Sequence, residues 1–241
     1  MINRQWQFAI IAGSGFREFG GDLEGDWHET PYGRPSGPIR TLRYDDHTVL
    51  FLPRHGDALT IPPHAINYRA NLQALRQLEV DAVVALNTVG VIAPHIHPGQ
   101  VAVPDQLIDY TSGRDHSIYD GGDTIDHIDF TQPFSDPLRN DLLAAAQRAD
   151  VPLHDGGVYA VTQGPRLETA AEVDRLERDG AELVGMTATP EAALTPDSPY
   201  SHIAFAKNSI DSALNPPQPS ARTHPIHQTC PACRRTSCIV R

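Results

Sequence analysis

The chain has 241 residues, of which 40% are hydrophobic, and its formal net charge is -11 at pH 7. This length suits one sizeable α/β domain with a single substantial core. The acidic balance argues against nucleic acid or an anionic membrane as the main partner, because both attract a positive field. The N-terminus lacks a signal-peptide pattern and no run approaches about 18 apolar residues, so no membrane span and a cytoplasmic location are expected.

Short apolar runs predict buried strands, each of which ends in a small or polar loop. In chain order the runs are residues 8–12, 48–52, 82–86, 158–161, 183–186 and 202–206. Helical spacing of apolar residues predicts helices over 65–78 and 168–179, the second of which would stop at Gly180. Thr189-Pro-Glu191 is typical of a helix start with an N-cap, a first-position proline and an acidic first turn. The pattern predicts an α/β fold with functional loops at the carboxyl ends of its strands.

The composition changes near the C-terminus. From Thr195 onward lie seven of the 21 prolines, and all three cysteines fall in the last 12 residues. After Asp211 there are four arginines and no acidic residue. We therefore divide the chain into a domain over residues 1–211 and a tail over 212–241 that is expected to be disordered.

The loops after the predicted strands carry short hydrogen-bond donors. Gly13-Ser-Gly15 can turn tightly and direct the Ser14 hydroxyl and backbone N–H groups at an anion. Arg54-His-Gly56 adds a guanidinium suited to phosphate oxygens, and Asn87-Thr88 and Thr187 add an amide and two hydroxyls. Packing requires only apolar residues at these positions, so the donors predict a cradle for inorganic phosphate or a small phosphate group.

Five blocks of sequence lie in order across about residues 5–210. They are Ala12-Gly-Ser-Gly15, Arg54-His-Gly56, Asn67-Tyr-Arg-Ala-Asn71, Thr162-Gln-Gly-Pro-Arg-Leu-Glu-Thr169 and Gly185-Met-Thr-Ala-Thr-Pro-Glu191. Together they resemble the trimeric nucleoside phosphorylase family, and within it the branch that cleaves methylthioadenosine and methylthioinosine. The resemblance implies a single domain with a central mixed β-sheet flanked by helices. It also implies phosphorolysis of a purine nucleoside to the free base and a ribose 1-phosphate or its 5-methylthio analogue.

The resemblance assigns roles to individual residues. The residues expected to hold phosphate are Ser14, Arg54, His55, Asn87, Thr88 and Thr187. Met186 would lie under the sugar, and Glu168 and Asn208 would contact the base and act in catalysis. Ser209 and Ile210 would belong to the same substrate-binding segment. No cofactor or metal is expected, because inorganic phosphate is a co-substrate that itself attacks the sugar.

Asn208 bears on the choice of base. Breaking the N-glycosidic bond leaves negative charge on the purine, and donors at N7 and O6 stabilise it. An Asn amide can donate to both atoms, whereas an ionised Asp can only accept. Asn208 therefore favours 6-oxopurines, with S-methyl-5′-thioinosine first and inosine, guanosine or methylthioadenosine as alternatives. The competing interpretation of Asn208 is a turn former at a strand end.

His127 lies in a segment that resembles one through which members of this branch insert a histidine into a neighbouring subunit's site. That interpretation implies a homotrimer with shared sites, and the alternative is an exposed loop histidine. Four other histidines are expected to be surface or structural residues: His64, His95, His97 and His116. The spacing of His95 and His97 could suit a metal, but no third ligand is evident in the sequence.

The end of the chain departs from the family pattern. The segment after Leu194 is shortened, and the residues after about Ser212 resemble no part of the family, which continues with a long helix that closes the site. A reading-frame change or a divergent tail would both give this composition. His224, His227, Cys230 and Cys233 have zinc-type identities but lack a loop between their pairs, so a disordered tail with free thiols is favoured.

Three hypotheses follow from the sequence. The leading one is an active purine nucleoside phosphorylase that works in salvage. The second is a remnant that binds purine or phosphate without turnover, because its C-terminal end is altered. A dinucleotide-binding module is disfavoured, because Glu18 stands where the third glycine of GxGxxG is required.

Overall fold

The computed structural model describes residues 7–16, 24–44, 47–118 and 127–195, together with the backbone of 200–206. This part of the chain contains eleven strands and four α-helices. The strands are β1 (Phe8–Ala12), β2 (Gly25–Asp26), β3 (Ile39–Tyr44), β4 (His47–Pro53), β5 (Ala82–Val91), β6 (Val101–Val103), β7 (Gln106–Asp109), β8 (Leu153–Asp155), β9 (Val158–Val161), β10 (Leu183–Gly185) and β11 (Tyr200–Ala206). The helices are α1 (Tyr68–Gln77), α2 (Asp136–Arg148), α3 (Ala170–Arg178) and α4 (Ala188–Glu191).

The strands form one mixed sheet in the order β2-β3-β4-β1-β5-β10-β9-β7. A branch leaves this order at β5, where β11 pairs with β5 and with β6, and β6 pairs with β8. At its centre β1 lies parallel to both β4 and β5, with Ile10 opposite Phe51 and Val84. Ile11 and Leu52 are fully buried in the core that α1 covers. Continuous apolar runs are typical of parallel strands covered on both faces, which is why these strands could be located from sequence. The predicted α/β class with a central mixed sheet and flanking helices is confirmed.

Strand β5 changes partner along its length. Residues 82–86 pair in parallel with β1, whereas Gly90 and Val91 pair antiparallel with β10. Because β1 and β10 run in opposite directions along β5, their carboxyl ends approach each other at the level of Asn87 and Thr88. Loops that follow the two strands are therefore brought to one place. This arrangement resembles the switch points at which α/β sheets bind ligands.

Helices α1 and α3 confirm the two predicted helical segments with shorter bounds. Helix α1 begins after Asn67, whose side chain accepts the Ala70 N–H. Helix α3 begins after Thr169, which forms a capping box with Glu172. Gly180 has a φ of 90° and follows the end of α3, as expected of a helix stop.

The predicted helix start at Thr189 is only partly correct. Thr189 has the extended backbone of an N-cap, with φ -112° and ψ 141°, but its hydroxyl has no hydrogen-bond partner among the described residues. The helical segment that follows is short and passes into a 3-10 turn over Ala192–Leu194. Glu191 is fully buried and does not serve as a solvated first-turn acid. Its partner is a buried arginine of the site described below.

The sequence did not predict α2 or the short strands β6, β7 and β8. Arg139 of α2 donates to the Val103 and Pro104 carbonyls and pairs with Asp155, and so connects the helix to β6 and β8. No helix in the described ranges is long and apolar enough to cross a membrane. The tail over 212–241, with its histidines and cysteines, lies outside the described residues, so the proposed domain boundary stays a prediction.

Candidate active site

A cavity of about 450 Å³ lies where the carboxyl ends of β1 and β10 meet. Its lining includes eight of the predicted site residues: Ser14, Arg54, His55, Asn87, Thr88, Glu168, Met186 and Thr187. They follow or belong to five different strands, so only the tertiary fold brings them together. Asn208, Ser209 and Ile210 lie outside the described residues, and their roles stay predictions.

Arg54 is the structural centre of this cavity and is fully buried. Its Nε and Nη2 donate to the two carboxylate oxygens of Glu191, at 2.5 and 3.0 Å. Its Nη1 and Nη2 also donate to the Leu86 and Ile11 carbonyls, at 3.1 and 3.3 Å. The guanidinium therefore ties together the ends of β1 and β4, the middle of β5 and the helix α4. Its charge is compensated by a buried carboxylate, which the sequence did not indicate.

Gly13 allows Arg54 to reach this position. A Cβ at residue 13 would lie 3.2 Å from Arg54 Nη1 and 3.1 Å from the Leu86 oxygen, so a larger residue would press on both groups. The Gly13 N–H donates to that same oxygen at 2.9 Å. The glycine expected to present an N–H to an anion instead uses it to join β1 to β5. The predicted anion donors of this loop are therefore the exposed Ser14 hydroxyl and the backbone that follows Gly13.

Asn87 is buried and lies in a hydrogen-bonded cluster. Its Nδ2 donates to the Thr187 hydroxyl at 2.9 Å and to the Tyr159 hydroxyl at 3.0 Å, while its Oδ1 has no partner among the described residues. Burial raises the pKa of Tyr159 to about 12, so this phenol keeps its proton at neutral pH. Amide orientation is set by the network around it. If the amide is reversed, Oδ1 accepts from the two hydroxyls and Nδ2 can donate to an anion in the cavity.

His55 brings no positive charge to the cavity. Burial lowers the pKa of its imidazole, opposed by a hydrogen bond with the Ile61 carbonyl, and the positive charge of Arg54 lowers the pKa further. Nδ1 lies 2.8 Å from the Ile61 oxygen, and because a carbonyl only accepts, Nδ1 carries the proton. In the neutral ring Nε2 is then an acceptor. It can contact phosphate only through a phosphate O–H.

Glu168 lies at the far side of the cavity and also lines a neighbouring cavity of about 250 Å³. The Thr162 hydroxyl donates to Glu168 Oε1 at 2.6 Å and orients the carboxylate. Thr162 directly follows β9, and Glu168 directly precedes the capped start of α3. A loop fixed at both ends therefore holds the predicted base-contacting acid.

Met186, expected under the sugar, is positioned by two contacts. A Cβ at Gly164, which has a φ of 61°, would lie 2.5 Å from Met186 Sδ, so only glycine allows this loop to approach so closely. Arg114 Nη1 donates to the Met186 carbonyl at 2.8 Å. Gly164 therefore packs close to the Met186 thioether, and Arg114 fixes the backbone of the same residue.

Arg114 is a functional candidate that sequence reasoning missed. It is half-buried, and beyond Met186 it donates to the Gln163 carbonyl at 2.9 Å and the Thr189 carbonyl at 2.6 Å. One side chain therefore fixes the loops that carry Glu168, Met186 and Thr187. Arg114 lies in a polar segment without strand or helix periodicity, so no local sequence signal could have identified it.

His127 is exposed and does not line the cavity of its own chain. The prediction that it enters a neighbouring subunit's site therefore stays a prediction. His64 is also exposed, whereas His95 takes part in a separate cluster treated below.

The fold and cavity define an α/β protein with a polar cradle at the ends of its strands. The family model of the Phosphorylase superfamily matches residues 7–196. A probable S-methyl-5′-thioinosine phosphorylase of Xanthomonas campestris pv. campestris is 47% identical over 209 residues, which are 86% of this chain and 84% of the relative. The 6-oxopurine nucleoside phosphorylase of Pyrococcus furiosus is 38% identical, with 84% and 79% covered.

Solved structures agree with these relatives. The methylthioadenosine phosphorylase of Schistosoma mansoni in complex with adenine superposes with a TM-score of 0.79 at 28% identity. The match covers 84% of this chain and 78% of that chain. The chain belongs to the phosphorylase superfamily and has the nucleoside phosphorylase fold.

The Arg54–Glu191 pair yields a prediction about stability. Glu191→Gln leaves the buried guanidinium without a counter-charge, so the free energy of unfolding should fall by about 3–5 kcal/mol. Replacing both residues, as in Arg54→Met with Glu191→Leu, removes both charges and should recover a large part of this loss. Urea unfolding at constant m-value measures both effects. The exposed Glu177→Gln is the matched control, and equal stability of Glu191→Gln and this control would contradict the interpretation.

Proposed function

We propose that this chain catalyses the phosphate-dependent cleavage of a purine nucleoside, with S-methyl-5′-thioinosine as its preferred substrate. The products are hypoxanthine and 5-methylthioribose 1-phosphate. The observation that carries the proposal is the convergence of predicted phosphate donors with Glu168 and Met186 around one cavity. Phosphate and nucleoside sites must adjoin in such a reaction, because phosphate oxygen attacks the sugar carbon from which the base leaves.

The cradle suits phosphate mainly through neutral donors. Hydroxyls of Ser14, Thr88 and Thr187 line the cavity beside the Asn87 amide, while the Arg54 charge is shared with Glu191. Hydrogen bonds to a charged acceptor are each stronger than those between neutral groups. Phosphate held this way keeps its negative charge for the transition state. There it stabilises the positive charge that develops on the sugar ring and then bonds to it.

The preference for a 5′-methylthio group rests on two arguments. One wall of the cavity is formed by Leu59, Ile61, Pro62 and Pro63, and such a wall accepts an apolar substituent better than a hydroxyl. The Xanthomonas relative is described as a probable S-methyl-5′-thioinosine phosphorylase. Asn208 supports a 6-oxopurine base by the donor argument given above.

We also propose that the active unit is a homotrimer in the cytoplasm and that His127 reaches the neighbouring site. The exposure of His127 leaves it available for such a contact. No cofactor is needed, because phosphate supplies the nucleophile and departure of the base requires only hydrogen-bond donors. The competing hypothesis is a remnant that binds purine or phosphate without turnover.

The deciding measurement is release of free base by the purified full chain from methylthioinosine, inosine and methylthioadenosine, with and without phosphate. We expect release only with phosphate and the highest kcat/KM for methylthioinosine. Absence of release from all three by a folded chain would support the remnant instead.

Thr88→Val removes one donor to the anion and should raise the KM for phosphate about tenfold or more. Thr41→Val, on the exposed face of β3, is the matched control.

Asn208→Asp tests the base-reading role. The substitution replaces a donor by an acceptor, so kcat/KM for 6-oxopurine nucleosides should fall relative to 6-aminopurine nucleosides, by about tenfold or more in the ratio. The control is Asn215→Asp, which makes the same chemical change in the tail. A ratio that Asn208→Asp leaves unchanged would remove Asn208 from the base site.

Arg114→Gln tests the positioning role of the arginine that holds the cavity loops. Misplaced Met186 and Glu168 should lower kcat/KM for the nucleoside about 100-fold. Arg114→Lys keeps the charge without the fork of donors and should restore part of the activity. The exposed Arg148→Gln serves as control. The fraction of folded protein in each variant is measured by thermal unfolding. If the loss of kcat/KM in Arg114→Gln equals the loss of folded protein, Arg114 has no positioning role.

A further inference from the structure

A second cluster of ligating side chains lies away from the proposed active site. It consists of His95 after β5, His154 in β8 and Glu182 directly before β10. The cavity is lined by Val184, Gly185, Met186 and Thr187, but not by any of the three cluster residues. We propose that this cluster, here called the His95 cluster, binds one divalent transition-metal ion of the zinc class.

The ligand atoms are close enough to share one ion. His95 Nε2 lies 3.2 Å from Glu182 Oε2, and His154 Nε2 lies 3.9 Å from the same oxygen. One ligand atom from each of the three residues can be chosen so that all lie within 4.8 Å of one another. Ligands of a tetrahedral zinc, with bonds of about 2.0–2.1 Å, lie about 3.3 Å apart. Side-chain adjustments of about 1 Å or less would therefore complete a three-ligand site.

The backbone already holds the three residues in place. The Glu182 N–H donates to the Val158 carbonyl at 2.9 Å, and the Glu182 carbonyl accepts from Ile92 at 2.9 Å and Ala93 at 3.1 Å. His154 pairs in β8 opposite Ala102 of β6. His154 and Glu182 are therefore held by strand pairing and its flanking hydrogen bonds, and His95 lies in a turn that the Ile96 N–H closes on the Ala93 carbonyl at 3.2 Å. Little conformational entropy is lost when an ion binds to residues held in this way.

The chemistry of the donors selects the class of ion. Two imidazoles and one carboxylate suit zinc, iron(II), nickel or copper, whereas calcium and magnesium require mainly oxygen ligands. The His95 side chain is 57% exposed, and those of His154 and Glu182 are 26% and 30% exposed. An ion here would be reached from solvent and would keep at least one position for water.

His95 is exposed, as expected from the sequence, but its neighbours in the cluster could not be seen in the sequence. His97 is not part of the cluster, and the residues beside His95 come from far along the chain. Because none of the three cluster residues lines the cavity, an ion there would not contact the nucleoside, but it would fasten the segment after β5, β8 and the start of β10. It would stabilise the native state by mass action without entering the reaction.

The test must separate this cluster from the histidines and cysteines of the tail. The parent is therefore the full chain with tail substitutions H224N, H227N, C230S, C233S and C238S. Zinc ion is titrated by calorimetry in phosphate-free buffer, and cobalt(II) spectra report the ligands. We expect one equivalent of zinc, cobalt(II) d–d bands of a site with nitrogen and oxygen ligands, and a rise in Tm.

Variants at the His95 cluster decide the assignment. Glu182→Gln and His95→Gln should each weaken zinc binding at least about tenfold and abolish the rise in Tm, while the exposed His97→Gln behaves as the parent. If Glu182→Gln fails to fold, His95→Gln at an exposed position gives the answer alone. Absence of zinc binding by the parent would overturn the proposal, as would equal losses in His95→Gln and His97→Gln.

Discussion

The interaction on which the rest of the structure depends is the buried ion pair between Arg54 and Glu191. Both side chains are fully buried, and Arg54 also donates to the carbonyls of Ile11 in β1 and Leu86 in β5. A buried charge without a partner lowers the stability of the fold, typically by about 3–5 kcal/mol. This need for a partner fixes the position of α4 against three parallel strands. It also favours Gly13, because a Cβ there would lie 3.2 Å from Arg54 Nη1 and the guanidinium would have to shift.

The pair has a consequence for anion binding in an acidic protein. Since the carboxylate of Glu191 neutralises the guanidinium of Arg54, the proposed binding of an anion does not rely on an excess of positive side chains. In the proposed phosphate site, hydroxyl and amide donors would supply most of the complementarity, and they require no counter-charge of their own. Dipoles held rigidly by a strand framework stabilise developing charge without reorganising, which is the basis of catalysis by oxyanion-type sites. The Asn87–Tyr159–Thr187 cluster shows how such donors are kept in place.

The two ends of β10 have different tasks. Its carboxyl end delivers Met186 and Thr187 to the cavity, where Arg114 holds the backbone of the segment. Its amino end follows Glu182, whose backbone joins β9 to the segment after β5. Strand β10 has only three residues, so a contact that fixes the position of its amino end also restricts the movement of its carboxyl end. The proposed metal site and the cavity are therefore separate in chemistry but mechanically connected through three residues of β10.

The sequence by itself determined the elements whose signal is local. Apolar runs located β1, β4, β5, β9 and β10, and the polar residues after them identified the donors Ser14, Arg54, Asn87, Thr88 and Thr187, because strand ends and their loops are contiguous in sequence. The roles of His55, Glu168 and Met186 came from the family resemblance. Tertiary structure decided what depends on contacts between distant residues. Glu191 is 137 positions from Arg54 and resembled an ordinary first-turn acid. Arg114, and the partners of His95, carry no periodic signal, because side-chain contacts across a sheet leave no trace in the spacing of either segment.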